Sequence, residues 1–327
     1  MVRSVNRSGV CLLLALAALA TMPSCRSGRK KVVAVIPKGT SHIFWLTVQA
    51  GAIAAGRDFG LEILWNGPAM ETEYSRQIQI VDSMIARRVD GLVLAACERK
   101  ALVLSVDRAV AAGIPVTVFD SGLDSENYMS FVATDNYGAG KMAAGELARL
   151  LDKKGKIAIL MHVPGSVSTT DRERGFEDAI ARDAPEMKIA GRQFGMSDRA
   201  RSMAAGENIL AAHPDLDGFF CSTEPSCTGL ALAINARGLG GKIKVVGFDA
   251  NDAMVEDLRN GVLDAMVVQD PFKIGYEAVR TIALKLGGRQ PPRRTDLPPV
   301  LVTRANLEQE AILKLVRPDV KSYLRQQ

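Results

Sequence analysis

Short runs of apolar residues alternate along the chain with longer stretches in which apolar residues recur every three or four positions. In the first 120 residues, four apolar runs predict buried β-strands, at 32–37, 61–67, 91–96 and 115–120. Nearly continuous apolar strands are typical of a parallel sheet that is covered on both faces. One apolar helix face between the second and third runs is predicted by Tyr74, Ile78, Val81 and Ile85. This part of the chain therefore predicts an α/β unit with helical crossovers.

The same alternation begins again after residue 150. Further strands are predicted at 156–163, 187–194, 218–223, 244–249, 265–270 and 300–304. A helix predicted at 170–183 begins with Thr170 and has Glu173 three residues later, which predicts a capping box. Residues 290–299 indicate a Pro-rich loop, and the tail from Asn306 indicates a surface helix.

Two α/β units of similar size follow from this pattern. Residues 130–140 are interpreted as a strand that leaves the first unit and enters the second. We therefore predict an α/β fold with two doubly wound parallel-sheet domains.

The N-terminal segment has the pattern of an export signal. Two arginines precede an apolar stretch, residues 10–20, that is too short to cross a bilayer as an ordinary helix. A serine followed by Cys25 resembles a bacterial lipoprotein signal, in which the Cys is lipidated and becomes the new N-terminus. An ordinary secretory signal and a retained anchor are the alternatives, and all three export the rest of the chain. We expect a signal peptide at 1–25 with cleavage before Cys25, a tether at 26–31, and a periplasmic or lipid-anchored cell-envelope protein.

Composition narrows the function classes. Of the 327 residues, 47% are hydrophobic and 24% are charged, as in a globular protein, and the formal net charge is only +5. Nucleic acid is therefore not an expected partner. The three His are widely scattered, so the sequence offers no metal-ligand spacing. Phosphate-loop, dinucleotide-binding and Gly-x-Ser-x-Gly motifs are absent, so we expect no cofactor, no metal and no catalytic residues.

Three cysteines remain after export: Cys97, Cys221 and Cys227. An odd number excludes complete internal pairing, and a chain of this length does not need disulfides to fold. Cys221 and Cys227 either form a disulfide or act as small apolar residues near a strand end and on the next helix.

Side chains at the carboxyl ends of predicted strands are candidates for ligand binding, because loops and helix N-termini meet there in open parallel sheets. His42, Phe44 and Trp45 follow the first strand at the entrance of a helix. Aromatic rings at such a place can stack on the apolar face of a sugar while polar neighbours bind its hydroxyls. The alternative for the two rings is a hydrophobic staple that anchors the helix.

Three other strands end in a carboxylate or an amide. Asp120, Asp249 and Gln269 can accept hydrogen bonds from ligand hydroxyls, and a charged acceptor makes such bonds strong. The alternative for the carboxylates is a helix cap or a structural turn. Arg172 lies near the start of a predicted helix, where a cation is unfavourable. It therefore needs a carboxylate or a ligand as partner, unless it forms a solvated salt bridge.

Eight sequence segments, each weak alone, follow the order found in one known family. They include SHIFWLTVQAGA, AGIPVTVFDS, VATDNYGAG, AAHPDLDGFF, KVVGFDA and VVQDPFKIGYEAV. Over residues 31–304, the chain resembles the periplasmic sugar-binding proteins of the ribose-binding type, which are type I, cluster B solute-binding proteins of ABC transporters. The ligand-binding half of lactose-repressor-like regulators shares this fold.

The resemblance implies a sugar site with a counterpart for each candidate residue. These are a polar contact at His42, stacking aromatics at Phe44 and Trp45, the main carboxylate at Asp120, an arginine contact at Arg172, acidic and amide contacts at Asp249 and Gln269, and Asn136 beside the first crossover. Two positions depart from the ribose pattern, since Ser121 replaces an Arg and Thr223 replaces an Asn. We therefore do not assume that ribose is the ligand.

The resemblance also implies two lobes joined by a three-strand hinge near Thr134, Gln269 and Pro299. The expected ranges are 32–134 plus 270–298 for the N-terminal lobe, and 135–269 plus 299–327 for the C-terminal lobe. The lobes are expected to close on a ligand held between them.

We accordingly expect an exported, non-enzymatic monomer that captures a monosaccharide or polyol and delivers it to the permease and ATPase of an ABC importer. The membrane is a further partner if Cys25 is lipidated. A subunit that presents sugar to a chemoreceptor or sensor kinase uses the same fold and stays open as an alternative. A lactose-repressor-like regulator is disfavoured, because an export signal stands where a helix-turn-helix is needed. A carbohydrate-active enzyme is disfavoured because no pair of carboxylates stands out as acid and base.

Overall fold

A computed structural model describes Met1 and residues 29–324 of the chain. The expected lipidation site, Cys25, and the apolar stretch before it lie outside the described residues. Among the described helices, none combines the length and the apolar character that a membrane span requires.

Strands and helices alternate along almost the whole described chain. The strands are β1 (Lys31–Ile36), β2 (Leu61–Trp65), β3 (Gly91–Leu94), β4 (Val116–Phe119), β5 (Ser130–Thr134), β6 (Lys154–Met161), β7 (Glu186–Phe194), β8 (Gly218–Cys221), β9 (Lys244–Phe248), β10 (Ala265–Val268), β11 (Arg294–Leu297) and β12 (Val300–Thr303). The helices are α1 (Ile43–Asp58), α2 (Tyr74–Ala86), α3 (Val103–Ala111), α4 (Asn136–Leu150), α5 (Val167–Asp183), α6 (Arg199–Ala212), α7 (Glu224–Ala236), α8 (Asp252–Asn260), α9 (Pro271–Leu286), α10 (Glu310–Val316) and α11 (Lys321–Leu324).

The strands form two six-stranded sheets with the same arrangement. Their orders are β2-β1-β3-β4-β5-β11 and β7-β6-β8-β9-β10-β12. Every strand pair of the first sheet is parallel. The second sheet is parallel except for β12, which pairs antiparallel with β10. We call each sheet with the helices packed on it a lobe, so that α1–α3 and α9 belong to the first lobe and α4–α8 to the second. The predicted doubly wound α/β architecture is confirmed.

Both faces of each sheet are covered, which explains the nearly continuous apolar strands. In β1, Val33 and Val35 pack with the face that holds Trp45, whereas Ala34 and Ile36 pack with the opposite cluster. All four strand residues are fully buried. Burial of each larger apolar side chain stabilises the fold by about 1.5–3 kcal/mol relative to exposure.

The segment 290–299 is not entirely a loop, so that prediction was wrong in part. Residues Arg294–Leu297 form β11, which pairs in parallel with β5. Arg294 and Asp296 are exposed while Leu297 is buried, as in a strand at a sheet edge with one solvated side. The sequence prediction missed the strand because prolines on both sides dominate the local pattern.

Helix α5 begins before Thr170, so the predicted capping box does not form. The chain turns at Gly165, whose φ is +85°, and the helix then starts at Val167. The side chain of Glu173 therefore does not reach back to the helix start. Its Oε1 accepts hydrogen bonds from the Ser222 hydroxyl at 2.7 Å and the His162 backbone N–H at 3.1 Å. Burial raises the pKa of Glu173 to about 7, although both hydrogen bonds act in the opposite direction.

The C-terminal tail forms two short helices rather than one. Val316 at the end of α10 packs into the core of the second lobe. In α11, the Tyr323 ring lies 5.1 Å from the Phe272 ring, and the Tyr323 carbonyl accepts a hydrogen bond from Arg57 of the first lobe. The tail thus contacts both lobes, and its predicted assignment to the second lobe stays a prediction.

Cys97, Cys221 and Cys227 are buried free thiols. Of the two alternatives for Cys221 and Cys227, the structure therefore has the small apolar residues and not the disulfide. Cys221 and Cys227 lie in the apolar core of the second lobe, where a thiol packs like a small hydrophobic side chain. The buried Cys97 thiol donates to the Lys38 carbonyl at 3.2 Å.

Glycines bring pairs of helices into backbone contact in both lobes. A Cβ added at Gly51 of α1 would lie 1.9 Å from the carbonyl oxygen of Phe272 in α9. In the second lobe, a Cβ at Gly140 of α4 would lie 2.0 Å from the carbonyl oxygen of Arg172 in α5. Since real Cβ atoms do not approach other atoms so closely, only glycine allows this helix spacing. The close spacing fixes α1 against α9 and α5 against α4.

We predict that Gly140→Ala lowers the free energy of unfolding by about 1–3 kcal/mol, because the methyl group forces α4 and α5 apart. The control is Gly145→Ala in the same helix, where an added Cβ meets no atom within 4 Å. Alanine there is expected to be neutral or to stabilise by up to about 1 kcal/mol. Urea unfolding measures both. Equal effects of the two substitutions would contradict the proposed contact.

Candidate ligand-binding site

A small cavity lies where the carboxyl ends of both sheets meet. Equivalent strands of the two lobes supply equivalent positions of its lining. Lys38 follows β1 and His162 follows β6, whereas Asp120 follows β4 and Asp249 follows β9. The helices after β1 and β6 contribute their N-terminal parts. The cavity is therefore built from both lobes.

The structure brings most of the predicted site residues together in this cavity. Those that line it are His42, Phe44, Trp45, Asp120, Arg172, Thr223, Asp249 and Gln269. Ser121 and Asn136 are buried beside it but are not part of the lining. The Ser121 hydroxyl accepts a 3.3 Å hydrogen bond from the Ser168 backbone N–H. For Ser121 and Asn136, direct ligand contact thus lacks support in the geometry.

Asp120 and Asp249 have the same unusual backbone conformation. Their φ values are +55° and +65°, in the left-handed region that Asp tolerates better than most residues. The conformation points each carboxylate from the end of its strand into the cavity lining. Backbone strain of this kind persists where the surrounding structure determines it, and it is concentrated at functional sites.

Arg172 is held by neutral groups. Its Nε donates to Asn136 Oδ1 at 2.7 Å and its Nη1 to the Ser222 carbonyl at 3.0 Å. The guanidinium carbon lies 3.8 Å from the centroid of the Phe248 ring. Asp249 Oδ2 is 3.9 Å from Nη1. Asn136 thus positions Arg172, and the arginine charge remains available to Asp249 and to a ligand.

The two predicted aromatics have different surroundings. Trp45 is 1% exposed, packs into the core of the first lobe, and donates from its indole N–H to Glu71 Oε1 at 2.9 Å. Phe44 packs edge-on against Trp45, with 4.9 Å between ring centroids, and is only partly buried. Phe44 therefore offers the larger free ring surface, while Trp45 supports it.

Four charged or titratable lining residues were not predicted: Lys38, Glu71, His162 and Glu224. Lys38, His162 and Glu224 lie close after strand ends, so the rule that selected Asp120 applies to them as well. Glu71 lies in the loop between β2 and α2, and no local pattern distinguishes it.

Lys38 is the central cation of the site. Its ammonium nitrogen is 3.2 Å from Asp120 Oδ2 and 3.4 Å from Glu71 Oε2, and the side chain is only 5% exposed. Burial alone would lower the pKa of Lys38, but the two carboxylates outweigh it and raise the pKa. Conversely, burial alone would raise the pKa of Glu71, yet Lys38 and His162 hold it well below its usual value.

Three acceptor oxygens in the lining are buried without a hydrogen-bond donor among the described residues. They are Asp120 Oδ2, Glu224 Oε2 and Gln269 Oε1. Lys38 is within ion-pair distance of the first and His42 Nδ1 lies 3.6 Å from the second, but neither geometry makes a hydrogen bond. Buried acceptors of this kind are costly unless they are paired. The cavity is therefore suited to a ligand that brings several hydroxyl donors.

Within the described residues, no group of three or more His, Cys, Asp or Glu side chains is arranged to hold a metal ion.

Comparison with known proteins places this architecture in a family. The family model described as a periplasmic binding protein domain matches residues 33–290. The chain belongs to the periplasmic binding protein family. A D-ribose/D-allose-binding protein of Pseudomonas aeruginosa is 31% identical to it over 275 residues, which cover 82% of this chain and 86% of that protein.

Solved structures agree with this periplasmic binding protein over nearly their full length. A solute-binding protein of a carbohydrate transporter of Agrobacterium radiobacter, in complex with D-arabinose, has a TM-score of 0.86 and 30% identity, covering 89% of this chain and 100% of that one. An ABC transporter solute-binding protein of Agrobacterium vitis with bound D-fucose has a TM-score of 0.84 and 34% identity, covering 87% and 99%. The expected relationship to ribose-type sugar-binding proteins is confirmed.

Asp249 gives the periplasmic binding protein a testable pH dependence. Burial raises the pKa of Asp249 to about 6, against the opposing effects of Arg172 and of the hydrogen bond from Gln269. In an unfolded chain an Asp titrates near pH ~4. Between about pH 4 and 6 the Asp249 carboxyl is therefore protonated in the folded state but ionised in the unfolded chain. Proton binding stabilises the folded state at low pH, and this stabilisation is lost as the pH rises through that window.

We predict that Asp249→Asn removes this loss. The unfolding free energy of the variant, relative to the unchanged protein, should rise between about pH 4 and 6 by an amount on the order of 2 kcal/mol and then stay level. Urea unfolding at a series of pH values measures the difference. A difference that is flat across this window would show that Asp249 does not titrate as described.

Proposed function

We propose that this exported protein captures a monosaccharide or polyol in the cavity between its lobes and delivers it to the permease and ATPase of an ABC importer. The main support is a set of three buried oxygens, on Asp120, Glu224 and Gln269, that lack a hydrogen-bond donor among the described residues and line one cavity built by both lobes. The Asp120 oxygen is also ion-paired with Lys38. Sugar hydroxyls supply the donors that these oxygens lack. A neutral ligand also leaves the balance between lining cations and carboxylates unchanged.

Selectivity follows from the same contacts. The lining acceptors have fixed positions, so an epimer that turns one hydroxyl away leaves a buried acceptor unpaired. Such an unpaired group costs about 1–3 kcal/mol. The partly buried ring of Phe44 offers the apolar surface on which the C–H face of a sugar can stack.

The proposal includes closure of the lobes about a hinge, as in other proteins of this kind. The lobe ranges are 32–134 plus 270–298 and 135–269 plus 299–327. In support, the chain passes between the sheets after β5, after β10 and between β11 and β12. These three passages coincide with the hinge positions expected near Thr134, Gln269 and Pro299.

The similar proteins support a sugar ligand without fixing which sugar it is. Their names and bound ligands include D-ribose, D-allose, D-arabinose and D-fucose. All are neutral monosaccharides. Thr223, which differs from the ribose pattern, lies in the lining and is a position where the selectivity of this chain is set.

Periplasmic binding proteins act by binding and release, and the proposal includes no catalytic step, cofactor or nucleic acid. We further propose that Cys25 carries a lipid, that residues 26–31 tether the folded part to the membrane, and that the protein acts as a monomer. The residues before β1 include Arg26, Arg29 and Lys30, which favour an anionic lipid surface. Lys31 of the expected tether is the first residue of β1, where its ammonium pairs with Asp90 at 2.7 Å.

A thermal-shift screen against pentoses, hexoses and polyols tests the proposal. We expect at least one neutral sugar to raise the melting temperature in proportion to the logarithm of its concentration. Asp120→Asn should weaken the affinity for that sugar by about tenfold to 100-fold, because a charged acceptor is lost. Asp124→Asn is the matched control, since Asp124 pairs with Arg99 at the surface of the neighbouring loop.

Absence of any stabilising sugar would contradict the function. An Asp120→Asn variant with the affinity of the control would contradict the site instead.

A further inference from the structure

Glu71 and His162 join the two lobes by a buried hydrogen bond. His162 Nε2 of the second lobe lies 3.0 Å from Glu71 Oε2 of the first lobe. The other carboxylate oxygen of Glu71 is occupied by the Trp45 indole N–H. Both side chains are less than 10% exposed. The bond can exist only when the lobes are together.

The charge states make this bond strong. Burial lowers the pKa of His162, so the imidazole is neutral, while Lys38 helps to keep Glu71 ionised. A neutral imidazole that donates from Nε2 leaves Nδ1 as an acceptor, and the Thr223 hydroxyl lies 3.3 Å from Nδ1. The Ser226 hydroxyl is 3.0 Å from that of Thr223. A chain of hydrogen bonds therefore runs from Glu71 to the N-terminal turn of α7.

Lys38 adds two further bonds across the same boundary. Its ammonium donates to the Ser166 hydroxyl at 3.3 Å and to the Ser168 hydroxyl at 3.2 Å, both at the start of α5. When the lobes separate, water replaces these partners. The net stabilisation of closure is therefore only a fraction of the gross bond energies.

We infer that Glu71 and His162 form a latch that sets how often the lobes are closed and thereby scales the affinity for every ligand alike. The inference rests on the proposed function in so far as the site binds a sugar. In this role the two are positioning residues. A ligand that binds the closed form has an apparent dissociation constant equal to its intrinsic constant divided by the closed fraction. A change in that fraction acts by the same factor on all sugars.

A direct sugar contact would behave differently from a latch. A lost contact weakens the sugars that present a hydroxyl at that point and spares the others, so their order of affinity changes. Both residues border the cavity, and the two roles are therefore separated by comparing several sugars rather than one.

The test is calorimetric titration of His162→Leu and Glu71→Gln with each of three or more sugars that bind the unchanged protein. We expect both variants to weaken all of them by one common factor of about tenfold. The double variant should lose little more than either single one, because the two residues share one bond. His162→Gln, whose amide can donate to Glu71, should recover part of the loss. His213→Leu, at the end of α6 and outside the cavity, is the control for loss of a histidine from the same lobe.

A second measurement does not depend on sugar binding. Spin labels at Leu104 of the first lobe and Leu232 of the second, which are 69% and 49% exposed, report the distance between lobes by pulsed electron resonance. The latch predicts that His162→Leu increases the fraction at the longer distance.

Losses that differ between sugars, or a closed fraction unchanged by His162→Leu with and without sugar, would overturn the latch. If no sugar binds but the distance distribution shifts, the latch stands and the proposed function fails.

Discussion

The cost of burying charge is the constraint on which this structure depends. Two buried cations, Lys38 and Arg172, line one cavity together with carboxylates from both lobes. A buried charge without partners would be strongly destabilising. Here each lobe supplies hydrogen-bond partners to buried polar groups of the other. Lys38 and Asp120 belong to the first lobe, while the serines that bind Lys38 belong to the second. The proposed closure and the proposed ligand binding therefore involve the same set of buried charges.

The two lobes share two structural features at equivalent positions. Each has an Asp with positive φ after its fourth strand in sheet order and a glycine contact that fixes a helix carrying cavity-lining residues. Gly140 thereby fixes the helix that carries Arg172, and Gly51 fixes the helix that carries Phe44 and Trp45. In the proposed closure, these packed lobes would move about their shared boundary, where the ligand is proposed to bind.

The features that could be predicted from the sequence are those with a recognisable local pattern of residues. Asp120, Asp249 and Gln269 could be predicted because each follows an apolar run that forms a buried strand. The carboxyl ends of parallel strands are where loops meet at a binding cleft. Glu71 has no such signature, since its role comes from a contact with His162, 91 residues away in the chain. The hydrogen bond from Arg172 to Asn136 could be found only from side-chain geometry, and ligand contact at Asn136 stays a prediction. The strand Arg294–Leu297 could not be predicted because prolines flank it on both sides.

The most direct test of sugar binding between the lobes is a crystal structure of the exported chain with the sugar that stabilises it most. We expect one sugar between the lobes, with hydroxyls that donate to Asp120 of the first lobe and to Gln269, and with Arg172 of the second lobe in contact. A sugar held by a single lobe, or bound outside this cavity, would contradict binding between the lobes.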